Sequence, residues 1–242
     1  MAHFERYRIT FGGRDMIGET KEIDSLLMEI DSQLTERTKV FLIGGGAMMY
    51  NALKAYTKDL DMVTTSLKEY ETIRDALFRI GFESTKPTPE YCRFNLSNIL
   101  QREDGNRIDL FYRTVCNKLK LSDEMVERAT LRFEGKYLSL YSCSPSDIIV
   151  FKSITDRDGD IQDCISLIRS GDTEWKVVLE EILNQVNDGE GVWITWVEDK
   201  MRRIHEESQI RIPILKELTK LSDEFIAKWE QEMIDKLPED ER

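Results

Sequence analysis

Histidine is almost missing from this chain. His3 and His205 are its only two, and both lie far from every other candidate group, so no Ser/His or Cys/His catalytic pair presents itself. Cysteine is sparse as well. Cys92, Cys116, Cys143 and Cys164 stand singly, without a Cys-x-x-Cys pair or a nearby His, which favours reduced core residues over a disulfide frame or a zinc site. Long apolar runs are lacking. Val40-Phe41-Leu42-Ile43 and Ile148-Ile149-Val150-Phe151 are among the longest, far short of the roughly 20 residues a membrane span needs. Met1 to Arg8 is polar and has no apolar block of the signal-peptide kind. The expectation is a cytoplasmic protein with no membrane partner.

Positive charge is also in deficit. The 34 Lys and Arg face 46 Asp and Glu, giving a net charge of −12 and a pI near 4.9. Such a surface repels the phosphate backbone, which argues against broad nucleic-acid binding. Lys118, Lys120 and the cluster Lys200, Arg202 and Arg203 could form small basic patches. Solvated helix and loop faces are the plainer reading of them. Neither a Walker pattern nor G-x-G-x-x-G occurs.

What is present is ample for a core: 242 residues, 40% of them hydrophobic and 33% charged. Ile23, Leu26, Leu27, Ile30 and Leu34 recur at helical spacing, so a first helix is expected over 20–34 with Thr20 at its N-cap. Residues 39–43 form a short β-branched run, a buried strand. Gly44-Gly45-Gly46 interrupts it before a helix over 47–56. A strand over 59–65, a helix over 66–80 stopped by Gly81, and a hairpin of 91–100 with 107–113 follow, turned by Asp104-Gly105. One more strand is expected over 136–141. Character then changes: Ser144-Pro145-Ser146-Asp147 is a helix start with capping-box chemistry. Only helices are expected beyond it, over 145–155, 159–170, 174–186, 192–208 and 213–236. The fold class is therefore α/β (α+β), with an N-terminal domain over 1–143 and an all-helical domain over 144–242.

The chemistry starts at Asp59-Leu60-Asp61-Met62-Val63. Strand side chains alternate, so Asp59 and Asp61 share one face. Two close carboxylates repel, and a cation relieves the repulsion. Hard oxygen donors at this spacing suit Mg²⁺, which keeps its remaining positions for water and phosphate oxygens. Two exposed acids at a strand end fit the pair equally well. Gly44, Gly45 and Gly46 lie between a buried strand and a helix start, where free N–H groups suit a phosphate; a merely tight turn is the alternative. Asp109 sits in Arg107-Ile108-Asp109-Leu110-Phe111, a run otherwise fit for a buried strand, where an acid is costly unless paired or metal-bound. Three carboxylates on adjacent strands would hold two metals about 3.5–4 Å apart, the arrangement for in-line phosphoryl transfer.

The stretch Leu42 to Ala47 followed by Thr57-Lys58-Asp59-Leu60-Asp61 resembles the nucleotidyltransferase superfamily signature. That signature is a Gly-Gly turn, a helix, Asp-x-Asp on the next strand and a third Asp on a later strand. The closest resemblance is to AbiEii-type toxin nucleotidyltransferases and their archaeal relatives, over about residues 20 to 170. It implies a mixed sheet flanked by helices, and Asp59, Asp61 and Asp109 as catalytic and metal-binding residues. It also implies a nucleotide site of Gly44, Gly45, Gly46, Lys58, Lys152, Asp160 and Asp163. Asp160 and Asp163 are i, i+3 on one helix and share a face, and Lys152 is a point charge for a phosphate. Relatives place a basic residue just before the first of those acids, where this chain has Gly159, with Arg157 as the nearest substitute.

Asp156 to Asp160 looks like a calcium loop at first sight. The sixth and twelfth positions, which need Gly and Glu, hold Ile161 and Leu167, which excludes it. Trp175, Trp193, Trp196 and Trp229 read as helix-packing anchors rather than base-stacking platforms.

The implied activity is Mg²⁺- or Mn²⁺-dependent transfer of a nucleoside monophosphate from an NTP such as ATP to an acceptor hydroxyl. The acceptor, whether tRNA, a protein or a small molecule, stays open, as does a toxin–antitoxin role. The alternative is a nucleotide- or partner-binding module that keeps the fold without catalysis.

Overall fold

The computed structural model describes residues 9–11, 14–85, 98–155, 157–188 and 191–236. Two short strands, β1 (Ile9–Phe11) and β2 (Arg14–Met16), pair antiparallel at the start. Then come α1 (Thr20–Gln33), β3 (Thr38–Ile43), α2 (Gly44–Tyr50), β4 (Leu60–Thr64) and α3 (Leu67–Arg79). β5 (Glu83–Ser84), β6 (Asn98–Gln101), β7 (Arg107–Tyr112), β8 (Thr114–Val115) and β9 (Leu119–Lys120) follow. After α4 (Asp123–Arg128), the strands β10 (Thr130–Glu134) and β11 (Leu138–Ser142) complete the α/β part. Five helices follow from there: α5 (Pro145–Ser153), α6 (Asp158–Arg169), α7 (Trp175–Asp188), α8 (Trp193–Ser208) and α9 (Leu215–Asp235).

Among the described residues, seven strands form one mixed sheet in the order β10-β11-β3-β4-β7-β6-β5. β11 runs parallel to β3 and β4 parallel to β7, while the other neighbours are antiparallel. α3 packs on β3, β4 and β7, and α1 on α3 and β11. The chain divides into two compact units, Met1–Ile148 and Ile149–Arg242.

Local chemistry explains the elements. In α1, Ile23, Leu26, Leu27 and Ile30 are buried, the expected stripe, but the N-cap is Glu19 and Thr20 is the first helical residue. In α3, Ser66 accepts from Glu69 N–H and Glu69 reaches back to Ser66 N–H, a complete capping box. At α5, Ser144 Oγ accepts from Asp147 N–H at 3.2 Å, as expected of a cap. The Asp147 carboxylate, fully buried, instead takes Ser144 Oγ–H and a forked pair from Arg128.

The hairpin turn falls where Asp104-Gly105 places it. Gln101 faces Arg107 across β6 and β7, Gly105 has φ 89°, and Asp104 accepts from Asn106 N–H. Residues 91–97 of the expected first hairpin strand lie outside the described residues. Two expectations fail in α2. The helix begins at Gly44 rather than after the glycines, and it stops at Tyr50 rather than 56. Asn51 N–H bonds back to Met48 O, and Ala52 takes φ 55°, so the chain turns out of the helix. Thr57 then pairs with Ile17 through both backbone bonds, at 2.9 and 3.0 Å.

The helical unit buries Val178, Ile182, Ile194, Val197, Met201 and Leu218. Of the four tryptophans, Trp193 is buried and meets Trp196 edge-on. Trp196 and Trp229 are 42% and 53% exposed, so the packing-anchor reading fails for Trp229. Lys200, expected on a solvated face, is buried, 3% exposed. Cys116, Cys143 and Cys164 carry free thiols, and burial pushes Cys164 up to about 12.

Candidate active site

The alternation of β4 and β7 builds the site. Leu60, Met62, Ile108 and Leu110 point into the core and are fully buried. Asp61 and Asp109 therefore stand together on the opposite parity, directly across from each other in the parallel register. Asp59 precedes β4 by one residue, two before Asp61, and is partly exposed. Asp109 is only 4% exposed.

An acid buried that deeply needs a partner, and Arg107 is that partner. It lies two residues earlier on the same strand, hence on the same face. Its Nε–H donates to Asp109 Oδ1 and its Nη2–H to Asp109 Oδ2, both at 2.8 Å. The same Nη2 lies 4.0 Å from Asp59 Oδ2. The fork is the strong bidentate geometry of an arginine–carboxylate pair. Sequence reasoning missed Arg107, although the Arg-x-Asp spacing carried the signal: residues i and i+2 of a strand share a face.

The three glycines are held against this face. Gly44 has φ 62°, a conformation that suits glycine. A Cβ there would overlap Asp61 Oδ2 and stand 3.2 Å from Asp61 Cγ. At Gly45 it would overlap Thr57 Oγ1, and at Gly46 it would stand 2.9 Å from Leu60 Cδ2 and 3.1 Å from Leu42 Cδ1. Each glycine thus lets α2 sit tightly on β3, β4 and the segment before β4. Thr57, buried and donating to Asp59 O, and Lys54, whose stem passes 3.7 Å from the same Gly45 position, also border the turn. Lys58 is exposed.

Lys152, Asp160 and Asp163 form a second cluster, in the helical unit. Lys152, 7% exposed, donates to Asp160 Oδ1 and pairs with Asp163 Oδ2, each at 2.7 Å. Thr155 Oγ1–H and Arg157 Nε–H both donate to Asp160 Oδ2, at 2.5 and 3.0 Å. Burial pushes the Asp160 carboxyl up, but the Lys152 and Arg157 charges outweigh it and bring it down to about 2. Burial likewise pulls the Lys152 ammonium down, and the two acids more than reverse that and hold it above its usual range. A Cβ at Gly159 would meet nothing within 4 Å, so no close approach requires a glycine there.

Hard carboxylate oxygens suit Mg²⁺ or Mn²⁺. Asp59 and Asp61 fit such an ion: they share a face and are partly exposed, leaving room for water or phosphate oxygens. Asp109 is hindered as it stands, since the Arg107 fork takes a lone pair on each of its oxygens. No three His, Cys, Asp or Glu side chains among the described residues are gathered so as to hold a metal ion.

Residues 19–202 match the family described as nucleotidyltransferase of unknown function (DUF6036). That covers most of the chain, which therefore belongs to this nucleotidyltransferase family. No curated protein matches it. Among solved structures it is similar to an antigenic nucleotidyltransferase-like protein from Paracoccidioides brasiliensis, at 18% identity and a TM-score of 0.40, over 74% of this chain and 92% of that one. It is also similar to ANT(2")-Ia in complex with adenylyl-2"-tobramycin, at 9% identity and a TM-score of 0.47, over 69% of this chain and 97% of that one. No helix among the described residues is long and apolar enough to cross a membrane.

Proposed function

We propose that the chain transfers a nucleoside monophosphate from an NTP to an acceptor hydroxyl, with Asp59 and Asp61 holding Mg²⁺ or Mn²⁺. The observation that carries this reading is the register Asp61↔Asp109 across β4 and β7, with Asp59 on the same face and Gly44 against Asp61, in a chain of a nucleotidyltransferase family. The ion, when bound, supplies charge neutralisation of the triphosphate and polarises the phosphorus under attack. Gly44 to Gly46 keep α2 close enough for its first N–H groups to face phosphate oxygens. Asp109 takes the proton of the acceptor hydroxyl as its oxygen bonds to the α-phosphorus, a step that requires the Arg107 fork to give up one of its oxygens. The bond from that phosphorus to the bridging oxygen breaks, and pyrophosphate leaves. Lys152, with Asp160 and Asp163, is first a buried ion pair joining α5 to α6. AbiEii-type kinship and a toxin–antitoxin role rest on the motif resemblance alone.

The test is incubation with each labelled NTP, Mg²⁺ and cell extract, followed by finding which fraction carries label. Labelled RNA, protein or small molecule names the acceptor class, and Asp61→Ala should abolish the label. If no fraction takes up label at any NTP, the fold serves binding and not transfer.

A further inference from the structure

The pair Arg107–Asp109 sits inside the carboxylate face, and a metal reading of that face has to account for it. Asp109 is 4% exposed and gives both oxygens to one guanidinium, at 2.8 Å each. The Arg107 side chain is 14% exposed, and its Nη2 also lies 4.0 Å from Asp59. The fork thus stands at the third carboxylate and leans toward the first. The fork takes a lone pair on each Asp109 oxygen and leaves a divalent ion only the remaining ones, and the like charges of ion and guanidinium repel across a few ångströms in a partly desolvated site. Strand geometry fixes the competition, because residues 107 and 109 project from the same face of β7.

We propose that Arg107 is the resident counter-ion of Asp109 and competes with divalent metal for it. Asp109 joins the ligands only when the guanidinium swings off, so metal binding and the ion pair are reciprocally coupled. This deepens the reading that Asp59 and Asp61 hold a divalent ion, and it rests on that reading. Arg107 is here a positioning residue: it acts through Asp109.

The experiment is Mn²⁺ titration followed by the free-ion electron paramagnetic resonance signal, without nucleotide, on wild type, Arg107→Gln, Arg107→Lys and Asp61→Ala. Removing the competing charge should tighten Mn²⁺ binding by about 10-fold or more in Arg107→Gln, with Arg107→Lys in between. A folded Arg107→Gln chain, checked by circular dichroism, that binds Mn²⁺ no tighter than wild type overturns the proposal. Wild type gives a second readout, which covers failure of Arg107→Gln to fold. The Arg107 Nε–H nuclear magnetic resonance signal, assigned by its loss in Arg107→Lys, should be protected in EDTA and lose protection on saturation with Mg²⁺ and a non-hydrolysable NTP analogue. An unchanged signal at saturation also overturns it. Absence of Mn²⁺ binding in wild type and all variants sinks the underlying metal reading, and this proposal with it. Asp61-dependent binding indifferent to Arg107 sinks this proposal alone.

Discussion

At the scale of single residues, two buried carboxylates receive opposite treatment. Asp109 leans on one guanidinium from its own strand, whereas Asp160 is held by Lys152, Thr155 and Arg157 together. Asp109→Asn keeps the shape and removes the charge, so NTP affinity should stay near normal while single-turnover transfer falls by roughly 100-fold, the scale of a lost proton acceptor. Transfer at the wild-type rate would make Asp109 a structural acid and nothing more. Asp160→Asn leaves buried Lys152 with Asp163 alone and should cost about 2–4 kcal/mol at neutral pH by urea unfolding. Its pH course follows from the depressed carboxyl, about 2 in the folded chain against 3.8 for the free group. The charge stabilises fully above about 4, and that contribution disappears as pH falls through about 2. The stability gap between wild type and Asp160→Asn should therefore close over that window. A gap constant down to pH 2 would mean that packing, not charge, makes the difference.

Elements were legible from sequence where periodicity was strong and silent where it was short. The stripe of α1, the helix over 66–80 and the five C-terminal helices all carry patterns that run over several turns, and Gly81 marks where the third helix stops. β8, β9, α4 and β10 span two to six residues each and were not foreseen. β10 shows why: none of its five residues is buried, so no alternating apolar pattern marks it. The Asp-x-Asp pair and the third acid were visible as residue types, and register then set Asp61 beside Asp109. The glycine turn was only half legible. Its reason, close packing on Asp61, Thr57 and Leu60, is a long-range fact that local sequence does not carry. Gly46→Ala should thus destabilise by roughly 1–3 kcal/mol through overpacking against Leu60 and Leu42, read as a lower urea midpoint with unchanged slope. An unaffected midpoint would show that α2 can shift outward freely. A branched residue at Gly45 would collide with Thr57, so loss of NTP binding there does not separate a phosphate role from a packing one.

At the scale of the whole molecule, charge constrains the acceptor more than any motif does. A net charge of −12 sets a repulsive field against polyphosphate chains, and such fields act on encounter as well as affinity. Some of the 34 basic residues are already paired: Arg128 with Asp147, Lys152 with Asp160 and Asp163, Arg202 with Glu198, Arg102 with Asp104 and Glu29. If the acceptor is an RNA, its recognition must be local and must neutralise few phosphates. The logarithm of affinity falls with the logarithm of salt by about 0.7–0.9 per phosphate neutralised. The expected result, by fluorescence anisotropy between 50 and 200 mM salt (about 10 Å of screening near the middle of that range), is negligible binding of an unrelated duplex RNA. Any true RNA acceptor should show a slope of about 3 or less in magnitude. A slope of 6 or more would require a continuous basic surface, and would turn the search for the acceptor toward nucleic acid as the main partner.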